Sequence, residues 1–293
     1  MFGKKEFHPY NVFDSRYAYS SGRVRALETR MLDLSKWKKL LSTKDMKHFF
    51  GELSDSVYKP YIEKLEQTMD FEDLLFDVYR DIINELTDLS PDKRIREFFN
   101  LYFDIYNIKM TLKHHYYNEP YDEKLFPYGS IHTDILSKED IDMDKIPEKY
   151  HCLFYRFEEI REKKNGELLI NEYADKFYYA ELYSQAKDIG SDFLIHLHKQ
   201  NIDLINGYTL LRNKVYEFDN LTLLEHGYIH IEEIRGIREK EFNEIVNYFS
   251  VRSYHRAFDI KTKDKMEYLK EFTLKKRLYL ENIYDKATYI TMG

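Results

Sequence analysis

Apolar side chains in this chain recur every three or four positions, the period of a helix with one face turned to a core. From Ile95 the stripe runs through Phe98, Tyr102, Ile105, Leu112 and Tyr116, and 99 residues later it returns as Leu194, Leu197, Leu204, Leu211 and Val215. Ahead of each lies a second apolar run: Phe71, Leu74, Leu75, Val78, Tyr79, Ile82, Ile83 and Leu86 in one case, Ile170, Tyr173, Phe177, Ala180, Tyr183 and Ala186 in the other. The spacing predicts two helical hairpins. Met266, Leu269, Phe272, Leu280, Ile283 and Ala287 begin a third, for which no second helix follows before Gly293. Strand-like alternation is confined to Tyr228-Ile229-His230-Ile231, too short to predict a strand. The expected fold is all-α.

Polar positions repeat with the stripe. Asp104-Ile105-Tyr106-Asn107 matches Asp203-Leu204-Ile205-Asn206, and Leu112-Lys113 matches Leu211-Arg212. Past each helix the chain reaches a glycine at nearly the same distance, in Tyr128-Gly129-Ser130-Ile131 and His226-Gly227-Tyr228-Ile229, so the repeated unit includes the following loop. A duplicated module follows, with boundaries expected at 1–120, 121–220 and 221–293. Segments 118–148 and 217–237 hold Pro, Gly, Asp and Asn clusters and should be loops with short helices. All six prolines lie at or before Pro147, which leaves the second half free for long helices. Ser90-Pro91 is expected to start one helix, and Gly190-Ser191 to end one and cap the next.

With 293 residues, 43% hydrophobic, the chain has material for one large or several small cores. Tyr accounts for 27 of the aromatics, so much of the packing should be amphipathic. Cys152 is the single cysteine, which excludes an intramolecular disulfide and suits a reducing compartment. No apolar run approaches the roughly 20 residues needed to span a bilayer, and the N-terminus lacks an apolar signal region. A soluble cytosolic protein is expected. Charge is uneven: residues 1–50 carry eleven Lys/Arg against five Asp/Glu, and the remaining 243 carry a net −13. A basic start on an acidic body can orient a protein toward a partner through its field. Without a Lys/Arg tract interleaved with aromatics or a glycine-rich phosphate loop, the footprint of a nucleic-acid binder is missing.

Candidate chemistry is sparse. His226 and His230 are four apart beside Glu232 and Glu233, a zinc-like spacing on a continuous helix, but Gly227 and a loop spoil it. His196 and His198 are two apart and would diverge by about 200° on a helix. Cys152 beside His151 diverges likewise, and no G-x-S-x-G turn exists. No catalytic residue, cofactor or metal is expected. Asp104 and Asn107, like Asp203 and Asn206, share a helix face, where they can hydrogen-bond across a hairpin or to a neighbouring module.

The segment Tyr17-Ala18-Tyr19-Ser20-Ser21-Gly22-Arg23-Val24-Arg25-Ala26-Leu27-Glu28-Thr29-Arg30-Met31-Leu32 closely resembles the opening of the C subunits of V-type and A-type rotary ATPases, the family that includes the d subunit of eukaryotic V-ATPases. Ser56-Val57-Tyr58-Lys59-Pro60-Tyr61 resembles that family's turn after its first short helices. The Asp/Asn helices resemble its repeated helices, and Tyr268-Leu269-Lys270 through Tyr289-Ile290-Thr291-Met292-Gly293 resembles its last module up to a turn. Family members usually continue into a final helix, so the third module is expected to be incomplete, with an apolar face left uncovered at a cost of roughly 25 cal/mol per Å².

The resemblance implies three similar helical-hairpin modules around a pseudo-threefold axis, forming a funnel. The funnel would be a non-catalytic central-rotor socket coupling the central-stalk subunits to the proteolipid rotor ring of a proton- or sodium-translocating ATPase. The protein would be peripheral on the membrane-bound complex, touching membrane only through the ring. On this reading Arg23, Arg25 and Arg30 form a positive stalk-docking surface. Asp104, Asn107, Lys113, Asp203, Asn206 and Arg212 make inter-helix polar contacts that hold modules in register. Two rival readings are a helical-repeat adaptor unrelated to ATPases and a metal-dependent helical hydrolase.

Overall fold

A computed structural model describes residues 17–118, 125–217 and 221–290, with side chains described through Ile283 in the last helix. Among the described residues every regular element is helical and no strand occurs. Tyr228-Ile229-His230 is loop, and a helix starts at Ile231. The described residues divide into two compact units, one within 17–151 and the other within 152–290.

The first unit holds α1 (Ala18–Glu28), α2 (Leu34–Leu41), α3 (Met46–Leu53), α4 (Ile62–Thr68), α5 (Phe71–Leu89), α6 (Arg94–Tyr117) and α7 (Thr133–Leu136). Asp70 caps α5 by accepting from Asp73 N at 3.0 Å, and Glu72 and Asp73 add negative charge where the helix dipole favours it. Ser90 does not open α6, as Ser90-Pro91 predicted. It closes α5, and its Oγ accepts from Asp92 N at 3.2 Å while Asp92 Oδ1 accepts from Arg94 N at 3.0 Å. The Ser90 and Asp92 side chains satisfy the backbone locally as a turn, so α6 begins at Arg94. Phe50, Leu65, Leu74 and Val78 form one buried cluster under α3, α4 and α5.

The second unit holds α8 (His151–Ile160), α9 (Gly166–Ile189), α10 (Asp192–Tyr216), α11 (Ile231–Gly236), α12 (Phe242–Ser250), α13 (His255–Phe258) and α14 (Lys265–Ile290). Gly190 ends α9 at φ +77°, a left-handed conformation that suits glycine, and Ser191 caps α10 by accepting from Leu194 N. Glu241 and Glu244 form a reciprocal capping box on α12. α10 packs on α9, α12 and α14. Its core includes Leu204, Leu211, Phe249, Phe258 and Phe272, with Phe249 stacked on Phe258 at 4.9 Å and Tyr208 on Phe272 at 5.4 Å.

The 99-residue period extends through a third copy of the first hairpin helix. Phe71, Leu74 and Leu75 of α5 correspond to Ile170, Tyr173 and Ala174 of α9 and to Leu269, Phe272 and Thr273 of α14.

Burial corrects the stripe read from hydrophobicity. Tyr102 is half exposed, whereas Leu101, Asp104, Asn107, Ile108 and Thr111 are buried with Ile105 and Leu112. The inward face of α6 carries three polar residues, which a hydrophobic tally assigns to solvent.

Gly207 lies where α10 meets two rings: a Cβ there would sit 2.7 Å from Phe258 Cζ and 3.1 Å from Phe249 Cζ. Gly22 in α1 has open space. Gly207→Val should destabilise the chain by about 1–3 kcal/mol, while Gly22→Ala should be neutral or stabilising by about 0.5–1 kcal/mol. Chemical denaturation of both variants checks the pair, and equal effects would contradict this packing.

Candidate functional site

Two buried carboxylates organise the repeated units. Asp104 on α6 is 1% exposed, and its Oδ1 accepts from Ser130 N at 2.7 Å and Ile131 N at 3.3 Å. Its Oδ2 accepts from Ser130 Oγ at 2.6 Å and Tyr150 OH at 2.7 Å. Asp203 on α10 is fully buried and accepts from Tyr228 N at 3.1 Å, Ile229 N at 3.2 Å and the Tyr254 hydroxyl. One turn along each helix the amide makes a reciprocal pair with the loop backbone. Asn107 Nδ2 donates to Phe126 O and its Oδ1 accepts from Phe126 N, both at 2.8 Å. Asn206 treats Leu224 identically, also at 2.8 Å.

The partners of these four side chains are the loop that follows each helix and a tyrosine beyond it. A carboxylate satisfies consecutive N–H groups that a buried loop would otherwise leave unpaired, and the amide supplies both a donor and an acceptor. The glycines make the approach possible. A Cβ on Gly129 would lie 2.3 Å from Asp104 Oδ1, and one on Gly227 2.1 Å from Asp203 Oδ1. Gly129 also sits at φ +113°. The residue before each glycine reaches back to the first helix of its hairpin: Tyr128 OH donates to Phe76 O on α5 at 2.6 Å, and the His226 ring stacks on Tyr183 of α9 at 4.6 Å. Each loop thus ties both helices of a hairpin together.

After the glycine, both loops enter a short helix capped by histidine. His132 Nδ1 accepts from Asp134 N, and His230 Nδ1 from Glu232 N. His226 and His230 therefore sit on loop and cap, not on one helical face. The tyrosines escaped the sequence comparison because they are 104 residues apart, outside the helix offset. Their signal is Tyr-His-x-x-Phe, present as Tyr150-His151-Cys152-Leu153-Phe154 and Tyr254-His255-Arg256-Ala257-Phe258.

Burial raises the Asp203 carboxyl to about 6, against the pull of its Tyr254, Ile229 and Tyr228 donors and of Arg252. Burial, with the Asp203 charge beside it, pushes the Tyr254 hydroxyl well above its ordinary value. With both oxygens occupied by donors, neither carboxylate is presented to a substrate or an ion.

Lys113 is half-buried on α6 and Arg212 is exposed on α10, where its guanidinium lies 5.7 Å from the Tyr208 ring. Arg23 pairs with Glu85 at 2.6 Å, which with the Ser20 hydroxyl donating to Leu89 O fastens α1 to α5. Arg25 pairs with Glu28 at 2.7 Å, and Arg30 is exposed beyond the end of α1.

His198 packs against Tyr183, and burial lowers it to about 4, so its imidazole is neutral at pH 7. His151 Nε2 donates to Ile146 O at 2.8 Å, and burial raises the Cys152 thiol, the opposite of nucleophile activation. Among the described residues no group of three or more His, Cys, Asp or Glu side chains is placed to hold a metal ion.

The family model described as ATP synthase (C/AC39) subunit matches residues 20–293. The A-type ATP synthase C subunit of Thermococcus onnurineus is 25% identical over 216 residues, 68% of this chain and 57% of that protein. That of Desulfurococcus sp. strain SY is 26% identical over 218 residues, again 68% and 57%. That of Pyrococcus horikoshii is 27% identical over 124 residues, 39% and 32%. These matches span a third to somewhat over half of the relatives' own length.

Gly227→Ala should destabilise by about 1–3 kcal/mol, and Asp203→Ala by about 3–5 kcal/mol because three donors lose their acceptor. The double variant should fall short of additivity, since removing the carboxylate removes the clash; additive losses in a denaturation cycle would contradict the contact.

Asp203 also fixes a pH dependence. Its folded-state value near 6 exceeds the ordinary 3.8, so the folded chain holds a proton that the unfolded chain releases between about pH 4 and 6. Its contribution to stability is therefore fully present below about pH 4 and declines as pH rises through 6, by up to about 3 kcal/mol. The stability difference between the wild type and Asp203→Asn, followed across pH 4–7, should shrink toward neutral pH; a flat difference would contradict it.

Proposed function

The chain belongs to the ATP synthase (C/AC39) subunit family, and we propose that it is a non-catalytic central-rotor component of a V/A-type ion-translocating ATPase. It would act as a socket that receives the central stalk and transmits torque to the proteolipid rotor ring. The family match over residues 20–293 carries this reading. The relatives are named as C subunits of A-type ATP synthases, and each match covers well under two thirds of the relative, so the role of the whole protein is transferred by inference.

The internal repeat supports it. A socket for a rotating shaft needs stiff helical modules of similar shape, here taken as 1–120, 121–220 and 221–293 around a pseudo-threefold axis. Each carboxylate-bound loop makes the same rigid corner where one module passes into the next. Carboxylates saturated by backbone and hydroxyl donors suit a structural part better than a hydrolase.

In this reading α1 and the turn after it carry the positive docking strip. Arg23 anchors it to α5 through Glu85, and Arg25 and Arg30 offer charge to an acidic stalk surface. The protein would lie on the cytoplasmic side of the membrane-bound complex.

The test is size-exclusion chromatography with mass detection of the chain mixed with the central-stalk subunits of the same organism's rotary ATPase. One-to-one co-elution is expected, and charge reversal at Arg25 and Arg30 should weaken it and flatten its salt dependence. Separate elution of folded chain and folded stalk would overturn the socket role, and undiminished binding by the charge-reversed variant would remove the arginines from it.

A further inference from the structure

The second corner carries titratable groups that the first lacks. His198 on α10 is 5% exposed, and neither of its ring nitrogens has a hydrogen-bond partner among the described residues. Its ring lies 5.4 Å from that of Tyr183 and 6.3 Å from that of Tyr179, both on α9. Tyr183 is also the ring on which His226 of the loop stacks, at 4.6 Å and 13°. Lys187 of α9 and Lys199 of α10 stand 5.7 Å and 5.9 Å from the centre of the same ring. His196 is bonded to the Tyr228 hydroxyl, Glu181 accepts from Gln185 Nε2 at 2.9 Å, and Asp203 accepts from the loop backbone. Glu225 is exposed beside His226, and Asp188 and Asp192 are exposed at the turn between α9 and α10. Neither His198 nor His226 forms an ion pair among the described residues. At the corresponding positions the first copy has Phe99 for His198, Asn84 for Tyr183, Asp88 for Lys187, Asn100 for Lys199 and Tyr128 for His226.

His226 is a strained clip between two fixed points. Asn206 holds the loop at Leu224, and Asp203 holds it at Tyr228 and Ile229. Between them His226 takes φ +70°, in the left-handed region that a side chain disfavours. The other described non-glycine residues with positive φ, Met69, Asn118 and Glu217, each end a helix.

We propose that His198 makes this clip acid-labile: a proton on its ring lifts His226 off Tyr183 and frees the loop between Leu224 and Tyr228 from α9, while the first corner stays shut. An imidazolium carries two N–H donors, and the closed site offers an acceptor to neither. The new charge would also join Lys187 and Lys199 around one ring. The long helices α9 and α10 are packed on each other, so the short strained clip is the part that gives. A charge on His226 alone does not open it, because a cation over a tyrosine face is attracted. Burial holds His198 at about 4 against its ordinary 6.5, so the closed form is fully favoured above 6.5 and loses ground as pH falls. Asp203 titrates in the opposite sense, but it keeps its donors in this local opening and does not oppose it. The inference concerns the second unit alone and does not depend on the rotor assignment.

Nuclear magnetic resonance of the full-length chain, labelled at Tyr, Phe and His, tests this through the ring-to-ring Overhauser contact between Tyr183 and His226. From about pH 7.5 to about pH 5 the open-to-closed ratio should rise about 30-fold. The contact should fade with the same midpoint as the His198 titration. In His198→Phe, which places there the residue type of the first copy, and in His198→Gln, it should persist at the acid end. The contact between Tyr128 and Phe103, whose rings lie 5.4 Å apart, should persist throughout as the record of the first corner. Undiminished contact in folded wild-type chain at the acid end would overturn the proposal, as would equal fading in both variants. Fading accompanied by loss of the helical circular-dichroism signal would also overturn it, since the unit and not the clip would then be opening.

Discussion

A carboxylate taken out of water has to be given hydrogen-bond donors, and in this protein a loop supplies them. Asp104 and Asp203 reach from the middle of long helices to the backbone just past Gly129 and Gly227, and a distant tyrosine hydroxyl completes each set. Unpaired, either charge would cost several kcal/mol, and so would the loop N–H groups without it. The two deficits cancel only when helix and loop are together. The hairpin, its returning loop and the short helix capped by His132 or His230 therefore behave as one part made twice.

That constraint explains why polar residues sit in the core. Asn107 and Asn206 extend each contact by a reciprocal backbone pair one turn on, so every repeated unit has two fixed points between helix and loop. Two points set the direction of the loop as well as its position. The residue before the glycine then reaches the other helix, through the Tyr128 hydroxyl in one copy and the stacked His226 ring in the other. The chemistry of that third contact differs between copies while its location does not, as expected where geometry is retained and side-chain identity is free to vary.

For the socket role proposed above, such corners have an evident use. Force transmitted through a helical hairpin is lost wherever the connection yields, and a loop bound by charge-assisted hydrogen bonds in a dry interior yields little. The second unit adds a close aromatic contact at Gly207, where α10 lies against Phe249 and Phe258. The basic and apolar surface of the first fifty residues is of a different kind, made of exposed side chains on short helices and suited to meeting something outside the chain.

By itself the sequence determined the helices, because a period of three to four apolar positions over some twenty residues admits no other regular structure. It determined the repeat as well, since Asp-x-x-Asn at a fixed offset followed by a glycine is visible without coordinates. The resemblance of Tyr17 to Leu32 pointed to the family. Only the tertiary structure decided what the repeated polar residues touch. A buried aspartate looks like a surface aspartate in a one-dimensional pattern, so the stripe through Tyr102 missed the inward face carrying Asp104 and Thr111. Tyr150 and Tyr254 were hidden by connections of unequal length, and Ser90 closes a helix because its hydroxyl found Asp92 nearer than the next helix start. In each case a hydrogen-bond partner distant in sequence, or a choice between two local ones, settled the matter, and neither is encoded in hydrophobic spacing.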